Sequence, residues 1–256
     1  MRILAVGDVV GNIGVEHLEK ELWSVRNDNK IDFCIVNGEN ASEISGLNRN
    51  DANRIFDAGA DIITLGNHTW GRKDLYEFLD QNENIIRPAN FFAGLPGSGY
   101  TVARIGGYKI LCINLIGTVH MEAESSPFHA VDKILNSEKG NYDFAIVDFH
   151  AETTSEKIAM GRYLDGRASI VFGTHTHVQT ADEKIFPGGT AYITDLGMTG
   201  PENSILGVCP EIIIRRFLTH MPERFIVADG EVEGHGIIVD IDESSGKAKA
   251  IKRIAF

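Results

Sequence analysis

The chain has 256 residues, of which 43% are hydrophobic and 23% charged, proportions ordinary for a soluble globular protein. Its net charge of −12, with no basic run, argues against a surface that binds nucleic acid by neutralising phosphates, although bound cations can supply positive charge locally. The longest apolar runs are about strand length, far below the roughly 20 residues that span a bilayer, and no leader is recognisable. We therefore expect a cytoplasmic protein that binds neither duplex nucleic acid nor membrane.

Five nearly continuous apolar runs predict strands buried on both faces. These runs span residues 2–8, 32–39, 61–68, 142–151 and 168–177. Apolar residues between the runs recur at helical spacing, as at Val15, Leu18, Leu22 and Val25, and at Leu75, Phe78 and Leu79. Another helix is predicted after the cap candidates Thr153, Thr154 and Ser155, ending at Gly166. The alternation indicates parallel βα units.

Two segments interrupt this alternation and predict antiparallel hairpins. Residues 100–115 form two strand-like runs joined at Gly106 and Gly107, and residues 234–254 form another pair that turns between Ser244 and Gly246. Parallel units combined with hairpins imply two packed sheets covered by helices. No repeat or linker is recognisable, so we expect one domain over residues 1–256.

The three cysteines, Cys34, Cys112 and Cys209, are an odd number at wide spacings. Two of them lie inside strand-like apolar runs. This placement favours buried, reduced core residues over a disulfide or a metal site.

Polar side chains end the predicted strands. They are Asp8, Glu39, Asn40, Asn67, His68, His150, His175 and His177. A single aspartate after a strand is usually a turn former, and a single histidine is more often a hydrogen-bonded surface or core residue. Ligands of open α/β sheets bind at the carboxyl ends of the strands, however, and so many polar endings on one rim favour a metal site over capping alone.

The chemistry of these groups suits transition metals. On an extended backbone, His175 and His177 point to the same side, with Thr176 facing away. Glu39 has two oxygens that could bridge two cations, and Asp8 adds a second anion. Asn40 and Asn67 can ligate through their amide oxygens, and His150 completes a mixed set suited to Fe, Mn or Zn.

These motifs resemble those of the calcineurin-like metallophosphoesterases. The counterparts here are "GDVVG", "NGEN", "LGNHTW", "DFHAE" and "FGTHTH", which occur over residues 7–177 in the family's order. The chain is most similar to the YmdB-type branch of bacterial 2′,3′-cyclic nucleotide 2′-phosphodiesterases, including residues 186–201. The resemblance implies an α/β fold, a four-layer α/β/β/α sandwich of two mixed β-sheets.

The resemblance also implies two metal sites that share Glu39. Site one would contain Asp8, Glu39, Asn40 and His177, and site two Glu39, Asn67, His150 and His175. The chain departs from the wider family at Val10, where a histidine is usual, so Asn40 takes over that coordination. Thr69 stands where an acid usually orients the preceding histidine, which leaves the orientation of His68 open.

The implied activity is hydrolysis of the 2′ ester of 2′,3′-cyclic nucleotides to 3′-nucleotides, with two Fe or Mn ions, or Zn, activating a bridging hydroxide. Asn67 and His68 would bind the substrate, and His68 would protonate the leaving oxygen. A packing role for His68 is the alternative. A phosphomonoesterase on the same scaffold and a regulatory metal- or nucleotide-binding module stay open, as does a homo-oligomer. A dinucleotide site at "GDVVGNIG" fails on glycine spacing.

The remaining polar candidates have plainer interpretations. His17, His220 and His235 are predicted at the surface. His120 and His129 lie in a loop that either lines the substrate cleft or is simply solvated. Asp195 follows a strand and precedes glycines, which favours a turn role over one at the pocket.

Overall fold

The computed structural model describes residues 1–43 and 45–256. The strands are β1 (Arg2–Val6), β2 (Asp8–Val9), β3 (Phe33–Asn37), β4 (Ile62–Thr64), β5 (Ile85–Ile86), β6 (Tyr100–Ile105), β7 (Tyr108–Ile116), β8 (Phe144–His150), β9 (Ile170–Thr174), β10 (Lys184–Ile185), β11 (Ala191–Ile193), β12 (Met198–Pro201), β13 (Val232–Ile241) and β14 (Ala248–Ala255). The helices are α1 (Gly11–Asn29), α2 (Arg49–Asp57), α3 (Asp74–Gln81), α4 (Pro127–Ser137), α5 (Thr154–Tyr163) and α6 (Pro210–Thr219).

The strands form two mixed sheets. The first has the order β2-β12-β13-β1-β3-β4-β5, with β14 paired to β13, and the second has the order β10-β11-β9-β8-β7-β6. Neighbours β1, β3, β4 and β5 run parallel, as do β7, β8, β9 and β11. The hairpins β6–β7 and β13–β14 are antiparallel, as predicted.

Strand alternation distributes the apolar side chains among three cores. In β1, Ile3 and Ala5 belong to the core between the two sheets, whereas Leu4 and Val6 belong to the core beneath α1 and α2. A third core lies between the second sheet and helices α4 and α5, around Leu111 and other residues of that sheet. Because side chains of a strand point alternately to opposite faces, one strand contributes side chains to two cores. The predicted four-layer α/β/β/α sandwich is confirmed.

The strands end earlier than the apolar runs predict. The run over residues 168–177 continues as strand only to Thr174, and the run over residues 32–39 only to Asn37. Helix α5 begins at Thr154 as expected, but the buried hydroxyl of the N-cap residue Thr153 has no hydrogen-bond partner among residues 1–43 and 45–256. Glu39, Asn40, His175 and His177 therefore lie in connections beyond the sheets, where strand alternation does not apply, whereas Asp8 lies in β2 and His150 ends β8.

The predicted rim belongs to two sheets and not to one. Strands β1, β3 and β4 bring their carboxyl ends from the first sheet, and β8 and β9 bring theirs from the second. The sequence shows strand ends but not which sheet each strand joins, so a single sheet was the wrong expectation. The candidate site lies where the edges of two stacked sheets meet.

Several surface and core assignments differ from expectation. Cys34 and Cys112 are buried and free, as predicted, but Cys209 is only partly buried at the start of α6. His220 is exposed, whereas His17 and His235 are half-buried. The ring of His17 stacks on Phe256 with Nε2 2.8 Å from its carbonyl oxygen, because the C-terminal residue packs against α1. Within the described ranges, no helix is both long enough and apolar enough to cross a membrane.

Candidate metal centre

Asp8 enters the site from the first sheet. It lies in β2 just beyond the end of β1, is completely buried, and accepts a hydrogen bond at Oδ2 from the backbone N–H of His175 at 3.1 Å. Its backbone N–H donates to the carbonyl of Gly197 at 3.1 Å, which fixes the turn after β1. The other carboxylate oxygen, Oδ1, is buried with no hydrogen-bond partner among the described residues.

Glu39 and Asn40 follow β3. The Asn37 side chain accepts from the backbone N–H of Glu39 at 3.1 Å and so sets the turn. Glu39 accepts the His68 backbone N–H at 3.0 Å through Oε2 and the Asn40 side-chain amide at 3.0 Å through Oε1. The same amide nitrogen of Asn40 lies 3.3 Å from Nε2 of His177, and the amide oxygen Oδ1 is buried and unpartnered in the described ranges.

His150 approaches Glu39 from the second sheet, at the end of β8. Its Nε2 lies 3.2 Å from Glu39 Oε1, 2.9 Å from Asn67 Oδ1 and 3.1 Å from His175 Nδ1. One ligand atom from each of Glu39, His150 and His175 falls within 4.8 Å of the others. This group has the size and donor types of a transition-metal site.

The predicted extended backbone at His175 and His177 is wrong, although both side chains reach the site. Their φ angles are 97° and 62°, in the left-handed region, so strand alternation does not apply. The buried carboxylate of Asp195 holds this turn by accepting from the Thr176 backbone N–H at 3.1 Å and hydroxyl at 2.7 Å. Asp195 also pairs with buried Lys157 at 2.6 Å, so it is an ionic anchor and not only a turn residue.

His177 enters the site from the second sheet, in the connection after β9. Its Nδ1 lies 3.1 Å from the carbonyl oxygen of Leu206, which assigns the ring proton to Nδ1. Its Nε2 lies 3.7 Å from Asp8 Oδ1, which has no hydrogen-bond partner among the described residues. Nε2 of His177 thus faces the same region as the carboxylate of Asp8 and the amide of Asn40.

A buried network orients His150. The Thr174 hydroxyl donates to Asp148 Oδ1 at 2.7 Å and lies 2.9 Å from His150 Nδ1, so that oxygen accepts the Nδ1 proton. Asp148 also accepts from Thr64 at 2.5 Å and Asn37 at 3.1 Å through Oδ2. The network ties both sheets together and leaves Nε2 of His150 to face the site.

Gly66 allows Glu39 of the first sheet and His150 of the second sheet to approach each other. A Cβ atom at this position would overlap both Glu39 and the imidazole of His150. Only a residue without a side chain fits between them, although nothing in the sequence distinguishes this glycine from a turn former.

Burial and charge shift the pKa values of the central groups. Burial opposes ionisation of Glu39, but the charge of His150 and its hydrogen bond outweigh burial and hold the pKa of Glu39 near 2. Burial also disfavours the charged form of His150, yet Glu39 and Asp8 raise its pKa to about 9. Burial and the charge of His150 lower the pKa of His175 to about 4, and burial raises the pKa of Asp8 to about 6. A proton on His150 thus balances part of the negative charge.

The donor set fits bound cations. Two buried oxygens, Asp8 Oδ1 and Asn40 Oδ1, have no partner in the described ranges, although buried polar atoms normally have one. The surrounding groups are carboxylate, amide oxygen and imidazole nitrogen, which together suit Fe, Mn or Zn. The structure brings together all seven predicted ligands, from Asp8 to His177, and a cation would satisfy both orphaned oxygens.

His68 lies beside this set and is held differently from expectation. Its backbone is tied to Glu39, and its Nδ1 lies 3.2 Å from the hydroxyl of Ser45. Thr69 is buried and donates to the Gly66 carbonyl at 2.6 Å, so it stabilises the loop and does not touch the imidazole. Ser45 thus contacts the imidazole of His68, which lines an open cavity.

Sequence reasoning missed four supporting residues: Ser45, Asp148, Glu152 and Lys157. Glu152 lies 2.9 Å from His175 Nε2. A charged residue inside an otherwise apolar strand was a usable signal for Asp148, because buried carboxylates need partners. Ser45 and Lys157 carry no such signal, since their contacts depend on tertiary packing.

Comparison with known proteins shows which class this fold belongs to. A 5′-nucleotidase precursor from Thermus thermophilus, 13% identical, superposes with a TM-score of 0.59 over all of this chain and 54% of its own length, which shows a shared fold. A crystal structure titled as a novel phosphatase from Mycoplasma pneumoniae, 34% identical, superposes with a TM-score of 0.94 over 100% of this chain and 93% of that chain. The fold is that of the metallophosphoesterases.

Within that class, the chain can be assigned to one family. The model of the YmdB-like protein family matches residues 4–254, and the chain belongs to that family. A Bacillus subtilis protein named 2′,3′-cyclic-nucleotide 2′-phosphodiesterase is 46% identical over 99% of this chain and 96% of its own length. The family resemblance inferred from the strand-end motifs is confirmed.

Proposed function

We propose that this protein is a metal-dependent phosphodiesterase that hydrolyses the 2′ ester of 2′,3′-cyclic nucleotides and releases 3′-nucleotides. The observation that carries the proposal is the meeting of Glu39 and His150 at 3.2 Å, with Asp8, Asn40 and His177 around them and His68 at the mouth. The activity named for the Bacillus subtilis relative agrees with this chemistry.

The residues assigned to metal binding fall into two overlapping sets. Asp8, Glu39, Asn40 and His177 would hold one cation, and Glu39, Asn67, His150 and His175 the other. Two Fe or Mn ions, or Zn, would lower the pKa of a water molecule and neutralise charge on the phosphate. The buried carboxylates of Asp8 and Glu39 offset the repulsion between two such cations.

The protein's own polar groups complete the proposed reaction. Once the oxygen of Asn67 binds a cation, its side-chain N–H groups are left to donate to a phosphoryl oxygen. Water attacks phosphorus, a new P–O bond forms, and the bond from phosphorus to the 2′ oxygen breaks. His68, whose Nδ1 lies 3.2 Å from the Ser45 hydroxyl, would donate a proton to the departing 2′ oxygen, and the attacking water would lose one proton to solvent.

A substrate panel tests the activity. Protein loaded with Mn is assayed on 2′,3′-cyclic AMP, 3′-AMP, 2′-AMP and 5′-AMP, and the products are identified by chromatography. We expect hydrolysis of the cyclic diester to 3′-AMP and little release of inorganic phosphate. Preferential release of phosphate from the monoesters would instead identify a phosphomonoesterase.

Two variants separate proton donation from metal binding. His68→Ala should lower kcat on cyclic AMP about 10²- to 10⁴-fold with unchanged metal content, the range expected for loss of a general acid. His175→Ala should lower both metal content and activity. Turnover by His68→Ala within threefold of the parent would assign His68 a packing role.

A further inference from the structure

A cavity of about 710 Å³ adjoins the proposed metal centre at Asn67, His68 and His175. Its volume lies in the range of sites that bind small organic ligands. Beyond the centre its lining includes the aromatic residues Trp70 and Phe91. A ligand whose phosphate reaches the centre while a flat apolar group contacts these rings matches this lining.

The aromatic end is held rigidly. The rings of Trp70 and Phe91 lie 6.0 Å apart between centroids, and Trp70 meets Tyr76 edge to face at 5.5 Å. The Tyr76 hydroxyl donates to the Trp70 carbonyl at 2.8 Å. Phe92, by contrast, lines the same cavity with 61% of its surface exposed. An exposed aromatic ring beside a preorganised aromatic wall is suited to stacking on a planar ligand.

Two carboxylates border the same cavity. Glu122 and Glu124 lie in the connection between β7 and α4 and are exposed. Neither side chain forms an ion pair or hydrogen bond with the residues that the structure describes. Ionised carboxylates only accept hydrogen bonds, so they favour a base edge that carries N–H groups. They also repel the phosphate, which keeps it at the end where cations bind.

We propose that this cavity is the base subsite, in which the nucleobase stacks on Phe92 and directs its N–H groups to Glu122 and Glu124. Guanine offers a carboxylate two adjacent N–H donors, whereas uracil offers a single N–H between two carbonyl acceptors. The subsite therefore favours guanine over uracil. This inference rests on the proposed function, because it assigns the cavity to the nucleoside of the same substrate.

A second cavity of about 430 Å³ is the alternative location for the base. It reaches the centre at Glu39 and His177 and is bordered by Phe217 of α6. Its carboxylate Glu152 is already engaged, 2.9 Å from His175. This cavity offers apolar contact but no free carboxylate to read a base edge, so the Phe92 cavity fits a nucleobase better.

The test compares substrates with and without a base on Mn-loaded protein. The substrates are 2′,3′-cyclic GMP, 2′,3′-cyclic UMP and ribose 2′,3′-cyclic phosphate. Stacking is expected to raise kcat/KM for cyclic GMP at least tenfold above that for the base-free substrate. Phe92→Ala should remove most of that advantage without changing hydrolysis of the base-free substrate. The matched variant Phe217→Ala should change neither the advantage of cyclic GMP nor the hydrolysis of the base-free substrate.

A double variant, Glu122→Gln with Glu124→Gln, tests the edge contacts. It should lower the ratio of kcat/KM for cyclic GMP over cyclic UMP and leave the base-free substrate unaffected. Equal losses on all three substrates in Phe92→Ala, or loss of the base advantage in Phe217→Ala alone, would overturn the subsite. Unchanged metal content and unfolding midpoint show that each variant is folded.

Equilibrium dialysis of 3′-GMP against ribose 3-phosphate separates this inference from the proposed function. Suppose that no cyclic nucleotide is hydrolysed, but 3′-GMP binds at least tenfold more tightly than ribose 3-phosphate and Phe92→Ala removes this difference. The proposed activity is then wrong and the subsite stands. If cyclic nucleotides are hydrolysed with no effect of the base on either rate or binding, the subsite is wrong and the activity stands.

Discussion

The ammonium group of Lys157 lies 2.6 Å from Oδ2 of Asp195, and both side chains are almost completely buried. The same carboxylate oxygen accepts two hydrogen bonds from Thr176, the residue between the two histidines of the second sheet. Asp195 therefore connects a helix of the outer layer to the backbone that presents His175 and His177.

Replacing Asp195 with asparagine should destabilise the protein and loosen this turn. Removing one partner of a buried ion pair leaves an unpaired buried charge, here on Lys157, which costs about 3–5 kcal/mol. We expect the free energy of unfolding in urea to fall by that amount and metal content to decrease. The matched control is Glu183→Gln, which breaks the surface pair with Arg253 and should cost under about 1 kcal/mol. Similar losses in both variants would contradict the anchoring role.

The Thr174 hydroxyl should control metal affinity through His150. Thr174→Val removes the oxygen that holds Nδ1 of His150, and loss of such outer contacts typically weakens metal binding 10- to 100-fold. Thr174→Ser keeps the oxygen and should retain near-parental affinity. Competition with a chelator measures both variants, and equal affinities for valine and serine would rule out orientation by this hydroxyl.

Metal uptake should release a proton and weaken as the pH falls. The pKa of His150 is raised to about 9 in the metal-free protein because Glu39 and Asp8 outweigh burial, so its imidazole is protonated at pH 7. A cation must displace that proton from Nε2, and apparent affinity should fall about tenfold for each pH unit below 9. Calorimetry in buffers of different ionisation enthalpy counts the protons. No release at pH 7 would show that His150 is neutral there.

Asn40→Ala should remove one of the two metal equivalents proposed for each chain. Its buried Oδ1 has no partner in the described ranges, and the neighbouring position Val10 offers no ligand. Asn40→Asp keeps an oxygen at this place and should retain both equivalents. Metal analysis of the purified variants gives the count, and two equivalents in Asn40→Ala would assign Asn40 to the turn alone.

Much of the fold and the donor set could be read from the sequence, because both depend on local pattern. Buried parallel strands are apolar along their whole length, so the position of Glu39 after its strand is visible in the chain itself. The left-handed backbone at His175 and His177 was not predictable, because it depends on Asp195, about 20 residues away in sequence. Nor was the contact between Ser45 and His68, which arises only when two loops pack together.

Because the candidate centre lies where two sheets meet, the packing of side chains between the sheets affects the geometry of the centre. Asp8, Glu39 and Asn67 come from one sheet and His150, His175 and His177 from the other, and the spacing of the sheets is set by side chains such as Ile35 and Phe172. Substituting those side chains, far from any phosphate, would alter how far apart the opposing ligands are held. Residues of the intersheet core therefore act as a spacer for the candidate metal centre, and natural variation there is expected to tune activity while every proposed ligand stays unchanged.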